Sequence, residues 1–264
     1  MDFQQHVPLG QTGLMVSRLG IASGFGVPAA SIEEAFHEHN LNYFFVSFGK
    51  RRQIKIALHN LLPQYRDKTV IALPYFPVDK ALFLRRSVEA WLRRLNLDTI
   101  DIILLQDVKP SQRLFDRALK LKTEGKVRFI GISSHKRPLL GRIASGELKL
   151  PVDLFYLRYN VVHRGAEEDI FPHLARDNDP GIVAFTATCW RKPLKIKNMP
   201  AGEAPLNAAD CCRFVLSNHN VNVCITGPSN AQQMEENLTA LTGGPLSDEE
   251  MTRVKRIGDH IYQM

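Results

Sequence analysis

Polar side chains able to bind or move a proton follow two apolar runs of this sequence. Gln106 and Asp107 end one run, and Ser133, Ser134 and His135 end another. Imidazole titrates near neutral pH, so His135 is a candidate acid, although a solvated loop histidine is the interpretation the sequence favours. The amide of Gln106 can donate a hydrogen bond but cannot act as an acid at neutral pH.

A second candidate for chemistry is a glycine turn that precedes a predicted helix. In the stretch ITGPSNAQQMEENL, Gly227 follows an apolar run, and Ser229 and Asn230 open a helix. The N–H groups of a first helical turn lack intrahelical partners and bind phosphate well. The stretch therefore predicts a phosphate-binding turn, with a well-capped helix of no further function as the alternative.

Composition narrows the classes of partner. The four cysteines, at positions 189, 211, 212 and 224, form no CxxC pair, so we predict no metal site and expect reduced thiols in a cytoplasmic protein. The net charge of +7 favours anionic partners such as phosphorylated cofactors. Nucleic-acid binding is disfavoured because the basic residues are dispersed without interleaved aromatic residues. No signal peptide or membrane-spanning segment is expected.

Eight short apolar runs, each followed by a segment of helical character, must position these groups. They are Ser17–Ala22, Asn42–Ser47, Thr69–Leu73, Ile100–Leu105, Val127–Ile132, Asp153–Tyr159, Gly181–Phe185 and Val221–Thr226. Continuous rather than alternating apolar character is typical of parallel strands covered on both faces. The pattern predicts one α/β domain over residues 1–264, a (β/α)8 TIM barrel. A doubly wound open sheet is the alternative, although it needs fewer strands.

Segments outside the eight repeats have their own predictions. PLGQTGLMVSRLG reads as an N-terminal β-hairpin closing the bottom of the barrel, and Ser247–Tyr262 as an extra C-terminal helix. Capping boxes, in which side chains bond the free N–H groups of a first turn, are expected at Ser31–Glu34, Ser229–Gln232 and Ser247–Glu250. The helix Gln112–Thr123 should end before Gly125.

Several stretches together resemble the aldo-keto reductase family. They are LGQTGLMVSRLGIAS, LRRLNLDTIDIILLQ, EGKVRFIGISSH, DLFYLRYN and ITGPSNAQQMEENL, which match in order over essentially the whole chain. The resemblance implies an NADP- or NAD-binding barrel that moves a hydride to or from a small carbonyl substrate. It also implies a catalytic tetrad of Asp, Tyr, Lys and His at the ends of strands two to four.

None of the four tetrad residues is carried over when the motifs are matched position by position. The tetrad Asp falls on Phe45, the Tyr on Phe48, the Lys on Pro74 and the His on Gln106. Tyr43 is not expected to replace the missing phenol, because strand alternation is taken to point it the wrong way. The resemblance therefore implies no catalytic residue of the usual kind, and a substrate pocket formed by Phe48, Gln106 and His135.

The resemblance implies a better preserved cofactor site. The adenosine half would contact six residues of the last βα unit, namely Gly227, Ser229, Asn230, Gln233, Glu236 and Asn237. Gln233 and Gly227 stand where the family has an Arg and a Lys, which weakens the case for NADP over NAD. The nicotinamide half would contact Ser133, Ser134 and Tyr156, with Phe185 stacking on the ring.

Two hypotheses follow from a retained nucleotide site beside a replaced tetrad. The first is a divergent oxidoreductase that binds a nicotinamide nucleotide and has non-standard or much reduced redox activity. The second is a non-catalytic binding or regulatory protein, a pseudoenzyme, on the same barrel. A protein partner is left open in both.

Overall fold

The computed structural model describes residues 1–46, 52–75, 83–106, 112–174 and 179–264. Within them, eight parallel strands form the barrel, namely β3 (Leu19–Ala22), β4 (Tyr43–Phe45), β5 (Val70–Tyr75), β6 (Ile100–Gln106), β7 (Val127–Ser133), β8 (Leu154–Arg158), β9 (Gly181–Phe185) and β10 (Val223–Thr226). They close in the order β10-β3-β4-β5-β6-β7-β8-β9. Each lies within or overlaps one of the eight predicted runs, so the TIM-barrel prediction is confirmed.

Helices surround this barrel and shield its outer face. They are α1 (Ala29–His39), α2 (Arg52–Tyr65), α3 (Leu84–Leu95), α4 (Gln112–Thr123), α5 (Arg137–Ala144), α6 (Ala166–Asp169), α7 (Ala208–Ser217), α8 (Ala231–Gly243) and α9 (Asp248–Gln263). Short 3-10 turns include Cys189–Leu194, which follows β9. The extra C-terminal helix is confirmed as α9.

The barrel strands have two buried faces, as their continuous apolar character predicts. On β5, Ile71 and Leu73 pack in the large core under the helices, whereas Val70 and Ala72 belong to a second cluster inside the barrel. This alternation follows from the two-residue repeat of a strand. It fixes which side chains point inward at the carboxyl ends, where TIM-barrel sites form.

A small hairpin closes the amino-terminal end of the barrel. β1 (Val7–Pro8) and β2 (Met15–Val16) pair antiparallel, and Leu9 and Leu14 between them are buried in the interior cluster. Asp101 lies fully buried near the start of β6, where it accepts a hydrogen bond from the Ile71 N–H and pairs with Arg66 and Arg128. The predicted N-terminal hairpin is thus confirmed. The ion pairs of Asp101 add polar contacts at the same end of the barrel.

The three predicted capping boxes have three different outcomes. Ser247 and Glu250 form the predicted box at the start of α9. The cap of α8 is Asn230, one residue later than predicted, and its side chain accepts from the Gln233 N–H. The box at Ser31 is wrong, because α1 begins at Ala29 after Pro28, and Ser31 is a buried residue inside the helix. Proline is favoured at a helix start, and that signal outweighs the later serine.

Candidate active site at the carboxyl end of the barrel

Inward-facing residues at the strand ends form an opening that we call the mouth. It is lined by Phe45 on β4, Pro74 on β5, Gln106 on β6, Ser133 on β7, Arg158 on β8 and Phe185 on β9. Their inward direction follows from alternation with interior residues such as Ala72, Leu104 and Tyr156. The three residues that stand at predicted tetrad positions thus lie on three neighbouring strands, β4, β5 and β6.

Beneath the mouth, two phenols meet in the barrel interior. The hydroxyls of Tyr43 and Tyr156 are hydrogen-bonded to each other, and both side chains are almost fully buried. Burial raises the pKa of each phenol well above its usual value, so both are uncharged at neutral pH. The expectation that Tyr43 points the wrong way is corrected, because it lies two residues before Phe45 and shares its inward direction.

Small residues on neighbouring strands make room for these two rings. A Cβ at Gly20 would lie 2.8 Å from Cδ1 of Tyr43, and a Cβ at Gly131 would lie 3.0 Å from Cε2 of Tyr156. The glycines in LGIAS and FIGIS are therefore explained by close approach of a ring. Phe45 continues the packing upward, with its ring centroid 6.0 Å from that of Tyr156.

Tyr156, a predicted nicotinamide contact, lies one layer below the mouth, with 1% of its surface exposed. Its hydroxyl is bonded to Tyr43, so that oxygen already has a partner. Gln106 is the opposite case, since its Oε1 atom is buried and has no hydrogen-bond partner among the described residues. An unpartnered buried acceptor is costly, so a ligand donor that reaches Gln106 would be stabilised there.

The end of β7 brings three predicted site residues together. Ser133 and Ser134 are buried, and the Ser134 Oγ accepts a hydrogen bond from the Lys136 N–H. His135 is exposed and stands edge-on to Phe185, with ring centroids 6.3 Å apart. His135 is therefore a solvated residue at the rim, beside the half-buried ring predicted to stack on a nicotinamide.

The start of α8 has free hydrogen-bonding capacity. Gln233 folds back, so that its Oε1 accepts from the Ser229 N–H while its own N–H is capped by Asn230. The first N–H groups of the helix, from Ala231 onward, have no intrahelical acceptor. Gly227 lies against the half-exposed ring of Phe25, which a Cβ at this position would strike at 2.3 Å. Phosphate binding at this turn stays a prediction.

Glu236 and Asn237, predicted as adenine contacts, lie further along α8. Glu236 Oε1 accepts from the Ala208 N–H and thereby ties α8 to the start of α7. Asn237 is buried, with 7% of its surface exposed. Glu236 therefore has a structural bond as well as its predicted binding role, which stays a prediction.

One residue of the mouth was missed at the sequence level. Arg158 has the inward direction of Tyr156, and its guanidinium carbon lies 5.9 Å from the centroid of the Trp190 ring. The motif DLFYLRYN contained a signal for it, because a residue two positions after Tyr156 on one strand points in the same direction. Arg158 is a cation at the barrel opening.

Other predictions concern residues that the structure does not describe, or groups that it does not contain. Phe48 and Asp107 lie outside the described residues, so their predicted places at the mouth stay predictions. Within the described ranges, no group of three or more His, Cys, Asp or Glu side chains could hold a metal ion. No helix in those ranges is long and apolar enough to cross a membrane.

Comparison with known proteins gives the class of this barrel. The family model of the Aldo/keto reductase family matches residues 52–189, just over half of the chain. L-glyceraldehyde 3-phosphate reductase of Escherichia coli O157:H7 is 22% identical over 292 residues, covering 91% of this chain and 79% of that protein. L-galactose dehydrogenase of Arabidopsis thaliana is 26% identical over 287 residues, covering 89% and 87%.

Solved structures agree with the sequence comparison at the level of the fold. Aldo-keto reductase AKR11C1 from Bacillus halodurans, in its holo form, superposes with a TM-score of 0.78 at 20% identity, covering 96% of each chain. Because the family model covers more than half of the chain, the chain belongs to the aldo/keto reductase family, as its motifs indicate. This family consists of oxidoreductases built on the same barrel.

Proposed function

We propose that this chain binds NADPH or NADH at the mouth of the barrel and lacks the usual Asp, Tyr, Lys and His apparatus for carbonyl reduction. The observation that carries the proposal is the set of inward-facing residues on three adjacent strands, Phe45, Pro74 and Gln106. A phenyl ring and a proline have no proton to transfer. The amide of Gln106 can only orient a carbonyl oxygen by donating a hydrogen bond.

Nucleotide binding is supported by both ends of the predicted site. The first turn of α8 has N–H groups without an intrahelical acceptor, which would bind a diphosphate or an adenosine phosphate. Gly227, just before this turn, packs against the ring of Phe25. Phe185 presents a half-buried ring edge-on to His135, which follows Ser133 and Ser134 at the end of β7. A bound nicotinamide nucleotide would supply hydride chemistry, while Phe185 and the serines would orient it. The choice between NADP and NAD stays open, because Gln233 offers an amide where an Arg would favour a 2′-phosphate.

The reactive half supports strongly reduced catalysis. General acid–base help contributes about 10²–10⁴-fold to rate, and loss of the tetrad removes it. His135, the candidate replacement acid, is exposed at the rim and forms no part of the mouth lining. The relatives are named for reduction of L-glyceraldehyde 3-phosphate and dehydrogenation of L-galactose, which supports a small carbonyl or hydroxyl compound as the substrate class.

A non-catalytic binding protein is the second candidate, and one observation favours it. Phe45 packs on Tyr156 directly above the bonded pair of phenols, so aromatic rings fill this side of the mouth where a reacting carbonyl would need polar groups. A pseudoenzyme would still bind the nucleotide but would show no turnover above the rate of the uncatalysed reaction.

The deciding experiment is titration of the purified protein with NADPH and NADH in parallel, with binding monitored by nucleotide fluorescence or calorimetry. We expect saturable binding, weakened about fivefold in Phe185→Ala, equivalent to about 1 kcal/mol of stacking. The matched control is Phe129→Ala, because Phe129 is a half-buried inward-facing ring at the opposite end of the barrel. No signal with either nucleotide up to millimolar concentration would overturn the proposal.

A turnover assay then separates the two candidates. With nucleotide present, we expect slow or undetectable reduction of simple aldehydes. Rapid turnover that His135→Ala abolishes would exclude the non-catalytic protein and identify His135 as a replacement acid.

A further inference from the structure

Arg158 is a half-buried arginine whose environment differs from that of Arg137, an arginine that follows β7. It ends β8 opposite Phe185 of β9, and its inward direction places it at the barrel opening. Among the described residues, no carboxylate lies within salt-bridge distance of Arg158, and no described residue forms a hydrogen bond with its guanidinium. By contrast, Arg137, at the start of α5, is paired with Asp169 at 2.8 Å.

Arg158 is held by a ring instead of a carboxylate. Its guanidinium lies over Trp190, whose side chain is 60% exposed. The backbone around Trp190 is unusual, since Cys189, Trp190 and Arg191 all have positive φ angles, of 44°, 53° and 66°. Non-glycine residues rarely adopt this conformation, and such strain is concentrated at binding sites. The ring orients the guanidinium while leaving its N–H edge available.

The surroundings of Arg158 are positive and aromatic. His163 contacts the Trp190 ring edge-on, at 6.2 Å between centroids. Burial lowers the pKa of His163, and the charges of Arg158, Lys192 and Arg137 lower it further, so the imidazole is neutral at pH 7. Arg158 is the last residue of β8, and the other residues follow the carboxyl ends of β7, β8 or β9. Arg158, His163, Trp190 and Lys192 form what we call the Arg158 cluster.

We propose that the Arg158 cluster binds the anionic group of the small molecule that enters the mouth, a carboxylate or a phosphate, with the Arg158 guanidinium as the recognising group. This inference deepens the proposed function, since it names the charge of the ligand for the same opening. A guanidinium fork pairs with either oxyanion through two parallel hydrogen bonds. Gln106, with its unpartnered Oε1, would accept from a hydroxyl or amide elsewhere on that ligand.

The test uses the fluorescence of Trp190. The chain has two tryptophans, and the other, Trp91, is buried on α3 beneath Arg94. Inorganic phosphate and acetate are each titrated at constant ionic strength, because general screening would otherwise mimic binding. We expect a saturable change in emission with at least one anion, and the preferred anion identifies phosphate or carboxylate as the recognised group.

Two variants and one matched control make the result specific. Arg158→Met should weaken anion binding at least about tenfold, whereas Arg158→Lys should weaken it less because it keeps the charge. Arg94→Met removes the guanidinium that lies 5.4 Å from the ring of Trp91, and should leave the anion titration unchanged. Circular dichroism and thermal unfolding confirm that each variant is folded.

Two outcomes would overturn the inference. Either no anion binds saturably, or anion affinity is equal in wild type and Arg158→Met, whatever that substitution does to NADH binding. Its failure is distinguishable from failure of the proposed function, because nucleotide titration is a separate measurement. Nucleotide binding without an Arg158-dependent anion site would leave the proposed function standing. Arg158-dependent anion binding without nucleotide binding would leave only the inference.

Discussion

The paired phenols of Tyr43 and Tyr156 allow a prediction in which two substitutions together cost less than either alone. The two hydroxyls are bonded to each other inside the barrel, and both side chains are at most 1% exposed. Replacing one tyrosine by phenylalanine removes that bond and leaves the other hydroxyl buried without the partner it has among the described residues.

The magnitude follows from the cost of a buried unsatisfied hydroxyl. Tyr43→Phe and Tyr156→Phe should each lower the free energy of unfolding by about 1–3 kcal/mol. The double variant removes both hydroxyls and leaves two phenyl rings in nearly the same space, so its cost should be below about 1 kcal/mol. The coupling free energy between the two positions should therefore be at least about 1 kcal/mol.

The assay is urea unfolding of the wild type, both single variants and the double variant, with the slope of the transition checked for constancy. Tyr65→Phe serves as control, because the Tyr65 ring packs on Phe36 and its hydroxyl forms no hydrogen bond with a described residue. It should change stability by less than about 0.5 kcal/mol. If the two single effects sum to the double effect, the hydroxyls are not coupled and the reasoning fails.

Three further predictions concern the supports of the barrel. Glu250 forms a two-pronged pair with Arg213, and this hydrogen bond together with the Ser247 cap lowers the pKa of Glu250 to about 2. Because that carboxylate is half exposed, Glu250→Gln should lower the free energy of unfolding by only about 1 kcal/mol at pH 7. This difference from wild type should be fully present above about pH 4.5 and should vanish as pH falls through about 2. Urea unfolding at a series of pH values measures it. Gly258→Ala should lower the melting temperature despite better helix propensity, since its Cβ would lie 1.9 Å from the Val161 carbonyl oxygen; an unchanged melting temperature would contradict this contact. Asp101→Asn should lower the free energy of unfolding by about 2 kcal/mol or more, because a buried carboxylate that serves two arginines is lost, and equal stability of the variant would show those pairs to be neutral.

The site was predictable where it depended on strand order and less so where it depended on side-chain direction. The motif match alone placed Phe45, Pro74 and Gln106 at strand ends, and barrel closure then brought them to one opening. Tyr43 was misjudged, although a two-residue step from Phe45 already requires the same direction. Arg158 was missed because the sequence does not show whether an arginine has a carboxylate nearby. The structure shows that no described carboxylate lies within salt-bridge distance of Arg158.

Local signals succeeded when one short segment contains both halves of the interaction. The capping box Ser247–Glu250 is of this kind, since both side chains and both N–H groups lie within four residues. The predicted box at Ser31 failed because a competing start signal, Pro28, lies just upstream and the helix continues through the serine into the core. Pattern alone does not rank two start signals, whereas packing of Ile32 and Phe36 against the core does.

By itself, the sequence determined the eight parallel strands, the hairpin and the final helix, because each depends on apolar periodicity and turn residues within a short window. Motif matching likewise placed Phe45, Pro74 and Gln106 near strand ends. Only the tertiary structure decided which side chains meet across the barrel. The bond between Tyr43 and Tyr156 joins residues 113 positions apart. The contact of Arg158 with Trp190 likewise joins two different strand ends, and the radius and register of the closed barrel bring each pair together.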